Sequence, residues 1–251
     1  MHSPIGTTLR DPTWQGEDNC PAPALFQQAR IFKDLEERVV SRLVAISKIL
    51  SMPEGTELCK QGALPTRLLL LLEGQVALEN TTPTGPSAVV EVIPPGGHFV
   101  LSAVLSNLPF LTSARAVTPA RLIAVDAAAL RTLMYEELSV ATALLRAGAL
   151  DFRAMVRQVC DLKLRTTAQR LGCYLLALSD NAAANTVSLR LPFDKRLLAA
   201  RLGCRQENLS RAFAALRDLG VETHGARVIL HDIASLRDYS LPDDTADFET
   251  A

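Results

Sequence analysis

Between residues 139 and 164 the apolar side chains return at alternating intervals of four and three: Ala141, Leu145, Gly148, Phe152, Met155, Val159 and Leu162. Only an α-helix gathers residues at those intervals into one stripe. The stripe holds for three heptads and is interrupted only by a glycine, which suits the a/d seam of a two-stranded parallel coiled coil. An amphipathic helix buried on its own domain uses the same spacing, and spacing alone does not separate the two. Either way, one long helix divides the chain into a part before it and a part after it.

The part before it changes texture along its length. Residues 1–23 are rich in Pro, Gly, Thr and Asp and read as a loose arm. Residues 24–50 show helical spacing, with Leu35, Val39, Leu43 and Ile46 on one face. From Met52 to Val125 come short β-like blocks divided by turn signals, among them "RLLLLLEGQVALEN" and "SARAVTPARLIAV". Many short strands at close intervals predict an antiparallel barrel or roll. The fold class expected is α+β, with an N-terminal antiparallel β-roll sensor domain at 24–138 and a dimerisation helix at 139–164. A C-terminal winged helix-turn-helix at 165–240 and an acidic tail at 241–251 complete it.

After the long helix the texture is helical again. "TTAQRLGCYLLALSD" reads as one helix, and "DKRLLAARLGCRQENLSRAFAALRDLG" as two helices about a turn at Gly203. A helix-turn-helix needs a small residue where its helices meet, a turn glycine and apolar positions that lock the crossing; Ala199, Gly203, Leu198, Leu202 and Leu209 fill those places. Asp194 can cap the first helix, and Arg205 or Gln206 opens the second. Gln206, Glu207, Ser210 and Arg211 then stand at the end of a recognition helix that meets base edges. Arg211 can engage guanine O6 and N7 in bidentate fashion, Glu207 can accept from cytosine N4, and Ser210 suits either. "VETHGARVILHD" comes next as two short strands about a His-Gly turn, in the position of a wing.

A net charge of −1 gives no overall bias toward nucleic acid, but between Arg165 and Arg237 cations outnumber carboxylates. The last residues carry Asp243, Asp244, Asp247 and Glu249. No apolar run nears the ~20 residues of a membrane span, and no secretory leader is legible. The five cysteines, at 20, 59, 160, 173 and 204, lack tight pairing and read as reduced thiols of the cytoplasm.

The arrangement resembles the CRP/FNR superfamily of bacterial transcription regulators over residues 24–238. "LLLLLEGQVALE" resembles the family's strand-Gly-strand signature, with Gly74 as its turn glycine, and "PPGGHF" stands at its Gly-rich turn. Glu207-x-x-Ser210-Arg211 is similar to the E-x-x-S-R recognition motif of the FNR branch. The resemblance implies a homodimer on double-stranded DNA, an inverted repeat of TTGAT-like half-sites, and RNA polymerase as partner. Gln206 departs from the common pattern and leaves the outermost base preference open.

The family's signals can be compared residue by residue. Cyclic nucleotide binding there uses a Glu for the ribose and an Arg for the phosphate after "GGHF", where this chain has Ser102 and Phe110; Met155 and Val156 replace the base-touching polar residues of the long helix. A cyclic phosphate without its Arg is a poorly paired charge, so cyclic AMP is not expected. An iron–sulfur cluster needs four thiolates, and only Cys20 lies near the N-terminus, so none is expected. A haem needs an apolar slot and a His, Cys or Met ligand. "HFVLSAVLSNLPFL" with Phe152, Met155 and Val156 can line such a slot, with His98 as first ligand and Cys59 and Met155 behind it. The plainer reading makes His98 a turn residue at the rim of the roll. Cys204 is read as a redox switch or a packing residue, and Cys160 and Cys173 as facing helix interiors. A regulator without effector, governed by cysteine redox state or abundance, and a cupin-type metal enzyme are the rivals. The second lacks its His-x-His cluster, and no catalytic nucleophile–base pair is legible, so no enzyme is expected.

Overall fold

The computed structural model describes residues 20–81, 87–179, 186–191 and 194–242. The first nineteen residues of the expected arm, with His2, and the acidic residues from Asp243 onward lie outside the described residues. The chain gathers into two compact units, Met1–Ser87 with Val92–Leu150, and Ala88–Glu91 with Asp151–Ala251.

Helical spacing across 24–50 is only partly realised. The segment folds as α1 (Pro23–Gln28), a 3-10 turn (Arg30–Phe32) and α2 (Glu37–Ala45), and its last residues begin a strand, β1 (Ser47–Met52). Long-range pairing overrides the local period: β1 runs antiparallel to β8 (Ala120–Asp126), from Ser47 opposite Val125 to Met52 opposite Ala120. Between them come β2 (Glu57–Cys59), β3 (Arg67–Glu73), β4 (Val76–Thr81), β5 (Ser87–Ile93), β6 (His98–Phe99) and β7 (Ser113–Ala116). One helix, α3 (Leu101–Ser106), interrupts the expected β texture, and another, α4 (Ala127–Glu136), follows it, capped by the Asp126 carboxylate on Ala129 N–H.

The strands form two four-stranded sheets, ordered β1-β8-β3-β6 and β2-β7-β4-β5. The leucine run explains the architecture. Leu69 and Leu71 pack inside the roll with Met52, Phe99 and Leu122, while Leu68, Leu70 and Leu72 pack against helices with Phe26, Phe32, Leu43 and Leu130. A strand buried on both faces has no polar positions to alternate, so it reads as a continuous apolar block. Gly74, at φ +87, makes the turn to β4; a Cβ there would collide with Pro119 O and the Ala120 backbone.

Glu137, its side chain 10% exposed, accepts from Arg38 on both oxygens, at 2.6 and 2.9 Å, and from Arg42 at 2.7 Å; Arg42 also pairs with Glu136. These hydrogen bonds hold the Glu137 carboxyl down at about 2, against an ordinary 4.5. The long helix α5 (Leu138–Leu164) starts at the next residue and buries Val140, Leu144 and Ala147 in the N-terminal core.

Beyond it come α6 (Thr167–Leu178), β9 (Val187–Arg190), α7 (Lys195–Arg201), α8 (Gln206–Leu216), a 3-10 turn (Arg217–Leu219), β10 (Val221–His224), β11 (Arg227–Leu230) and α9 (Ile233–Ser240). The strands form one sheet, ordered β10-β11-β9. β9 has no counterpart among the elements expected from sequence, although Val187, Leu189 and Leu191 alternate with polar residues there. The helices and sheet share a core that includes Leu171, Leu175, Leu198, Phe213, Val228 and Leu236. Among the described residues, no helix is long and apolar enough to cross a membrane.

Candidate nucleic-acid interface

One cap and a glycine set the crossing of α7 and α8. The Asp194 carboxylate accepts from Leu197 N–H at 2.8 Å and so starts α7. Gly203 then turns the chain at φ +61, and a Cβ on it would stand 2.5 Å from Cδ2 of Leu162 on α5. Arg205 takes the N-cap position and Gln206 opens α8, although the Arg205 side chain makes no capping bond. Leu198, Ala199, Leu202 and Leu209 are all buried, in the places expected of locking residues.

The opposite face of α8 is solvent-facing. Arg205, Gln206, Glu207, Ser210 and Arg211 are exposed, while Leu209, Ala212, Phe213 and Leu216 are buried. Glu207, Ser210 and Arg211 stand at i, i+3 and i+4 and therefore share one side of the first turns. Ser210 Oγ donates to Gln206 O at 3.1 Å and is fixed in place by it. The group joins one acceptor, one hydroxyl and one planar five-donor cation within a patch the width of a few base edges.

The wing departs from its expected turn. His224 pairs with Arg227, so the two loop residues are Gly225 and Ala226, with Gly225 at φ +63 in the first position, where a type II′ hairpin favours glycine. On its strands Arg227 Nε donates to Ser188 Oγ at 2.7 Å, and His224 and His231 both bond the Glu222 carboxylate, at 2.8 and 3.0 Å. Those bonds, His231 first, hold the Glu222 carboxyl below its usual range.

The junction between α5 and α6 is heavily bonded. Thr166 and Gln169 form a reciprocal capping box at the start of α6. Arg165 pairs with Asp161 and donates to Leu241 O at 2.6 Å. Arg170, which no sequence motif singles out, donates to Arg165 O at 2.8 Å, and through Nε to Leu202 O at the end of α7 at 3.0 Å. No spacing rule marks such a residue, because its acceptors are backbone carbonyls.

One cysteine reading needs correction. Cys160 is exposed on α5 rather than turned into a helix interior, and Cys173 is half-buried. The helix terminus does not draw Cys204 toward thiolate: burial pushes the thiol up, against the nearby Arg170, and it packs beside the C-terminal core. Cys59 is buried, and burial pushes its thiol up to about 12.

Along α5 the seam residues are largely uncovered. Leu145, Phe152, Met155, Val159 and Leu162 range from 67% to 45% exposed, and a Cβ on Gly148 would meet only open space. Leu138, 81% exposed and three residues before Ala141, extends the stripe backward; the interval of three was its signal.

Of the expected effector residues in the N-terminal unit, His98 is half-buried on β6 and paired with Leu70. Ser102 faces outward on α3, and Phe110 packs inside the roll with Phe99 and Ala103. Val100, the N-cap of α3, sits at φ +63, a left-handed conformation that costs a β-branched residue about 1–3 kcal/mol. Met155 and Val156 are exposed on the distal half of α5. Among the described residues no three His, Cys, Asp or Glu cluster as a metal site would require.

Comparison with known proteins adds two profile matches. Residues 49–137 match the cyclic nucleotide-binding domain, and residues 169–239 match the Crp-like helix-turn-helix domain. A CRP-like cAMP-activated global transcriptional regulator of Mycobacterium tuberculosis is 23% identical over 212 residues, spanning 83% of this chain and 95% of that protein. A solved structure from Ruegeria pomeroyi, provisionally described as a cyclic nucleotide binding protein, is 32% identical. The alignment covers 88% of this chain and 97% of that one, with a TM-score of 0.59. FixK2 from Bradyrhizobium japonicum shares the fold, with a TM-score of 0.66 at 20% identity over 77% of this chain and 96% of its own.

Proposed function

The chain belongs to the CRP/FNR superfamily of transcription regulators, and from that premise we propose that it is a cytoplasmic homodimer that reads an FNR-type palindrome. The observation that carries the proposal is the shared exposed face of Glu207, Ser210 and Arg211 over the buried side of α8. In this reading Arg211 reads guanine, Glu207 reads cytosine, and Gln206 and Arg205 flank them. Two copies paired along α5, through Leu145, Gly148, Phe152, Met155, Val159 and Leu162, would present two recognition helices to successive major grooves, ~34 Å apart. RNA polymerase is the protein partner that regulation of transcription calls for.

Gel-shift titration against a TTGAT–ATCAA duplex tests the reading. The native protein should prefer the palindrome over a scrambled duplex at fixed salt. Arg211→Ala should cost about 1–3 kcal/mol and relax the guanine preference; unchanged affinity and selectivity would remove Arg211 from base reading.

For the signal we infer an apolar effector in the N-terminal unit, with a gas held on haem iron by His98 as its specific form. The apolar segment around Val104 and Phe110 and the left-handed Val100 support it. Met155 drops back as a ligand because its side chain is exposed. Protein purified from cells fed haem precursor should show a Soret band lost in His98→Ala; its absence sinks the haem form. Cyclic AMP is the second reading, favoured by the domain match at 49–137 and by the cAMP-activated relative. Ser102 and Phe110 supply no charge for ribose or phosphate, so calorimetry should register no cyclic AMP binding.

A further inference from the structure

Asn208 fills one of the open positions of Glu207-x-x-Ser210-Arg211. It is exposed, stands third in α8, and takes part in no hydrogen bond with any other described residue. Arg211 is equally unengaged among the described residues. Three residues turn an α-helix by about 300°, so Asn208 lies roughly 60° to one side of Arg211, and Glu207, four residues back, roughly 40° to the other. Ser210 falls on the Glu207 side, about 100° away. The buried arc of Leu209, Ala212, Phe213 and Leu216 takes the far side of the helix. Asn208 thus shares the solvent face with Arg211 and stands on the flank opposite Ser210.

The chemistry of that flank differs from the rest of the face. Arg211 only donates, Glu207 only accepts, and the Ser210 hydroxyl is already bonded to Gln206 O. An asparagine amide donates and accepts from one plane, with NH2 and O side by side. In the major groove adenine is the base whose edge answers both, N7 accepting and N6–H donating. Gln206 carries the same amide, but five residues from Arg211 it lies roughly 140° away, beyond Ser210. Phosphate contact asks for donors alone, and Arg205, exposed at the N-cap, supplies those close by.

Along the helix axis Asn208 precedes Arg211 by ~4.5 Å, against ~3.4 Å between stacked bases, so the two side chains suit neighbouring base pairs. Resting on the proposed base-reading role of Arg211, we infer that Asn208 is a specificity-determining residue. It reads adenine, through N6 and N7, at the base pair next to the guanine that Arg211 reads. In a TTGAT-like half-site an adenine stands there.

Gel-shift titration of the full chain tests this on duplexes in which the adenine of one GAT step is replaced by each other base, its complement changed with it. The native protein should bind the adenine duplex about tenfold tighter than the other three, as one bidentate base contact implies. Asn208→Ala should bring all four within about twofold while the guanine preference one base pair away persists. Asn208→Asp keeps the shape and exchanges the donor for an acceptor, so it should move the preference to cytosine, whose N4 donates. A carboxylate in the first turn also suits the helix dipole, so this variant keeps its fold even where the alanine variant does not. Uniform weakening over all four bases, with the salt slope reduced by about one, would make Asn208 a phosphate contact and overturn the inference. An adenine preference that both variants leave intact overturns it too, and leaves base reading by Arg211 standing. A native protein that binds the palindrome no better than a scrambled duplex takes down the base-reading proposal and this inference together.

Discussion

The two halves of α5 share a helix and differ in what they do with their apolar residues. The first half buries Val140, Leu144 and Ala147 in the N-terminal core. From Asp151 to Leu164 none of the side chains is buried, although Phe152, Met155, Val156, Val159, Leu162 and Leu164 all lie there. Two stripes with the same intervals of four and three, 140-144-147 and 141-145-148, run side by side one residue apart. One is satisfied within the chain and the other is not. An apolar period therefore says that a helix has a sticky side, while burial says whether the chain itself covers it.

The largest test of that contrast is Leu144→Ala. Emptying a fully buried leucine should cost about 2–5 kcal/mol in denaturant unfolding. Phe152→Ala, at a side chain 64% exposed, should change unfolding of the single chain by no more than roughly 0.5 kcal/mol. If both cost the same, the difference between the halves is not real. Next, Phe152→Asp or Leu145→Asp should yield monomers in sedimentation and weaken DNA binding; dimers that persist would mean the exposed stripe is not the seam. Thr166→Ala, which removes the cap just past the distal half, should cost about 1 kcal/mol by thermal melting, within a range of roughly 0.5–2.

The finest test is a pH series at the helix entry. Glu137 has its folded value lowered to about 2 from 4.5, so its stabilisation is present above 4.5 and lost as pH falls toward 2. Glu137→Gln should be less stable than the native protein at neutral pH and converge with it near pH 2. Parallel curves through that window would detach the pair of arginines from the stability of this end.

Legibility in the sequence divides along the same line. The order of roll, long helix and winged helix-turn-helix is readable, because turn signals and helical intervals are local. So is the face of α8, since Leu209 and Arg211 are set by one period. β1 reads as helix because its partner β8 lies some seventy residues away, and no local pattern carries that pairing. α3 disappears into the β texture for lack of length, while α4 falls between that texture and the long helix. Arg38 and Arg42 on Glu137, and Arg170 on two carbonyls, are invisible for a different reason: long cations look like surface until their acceptors are placed.

Arg170 also constrains how the C-terminal unit can move. One guanidinium satisfies a carbonyl at the α5–α6 junction and another where α7 ends, each otherwise an orphan of its helix terminus. Twisting either end away strands an acceptor, so the two ends turn as a riveted pair. The end of the long helix and the helix-turn-helix are thus stitched to each other through a single side chain that belongs to neither.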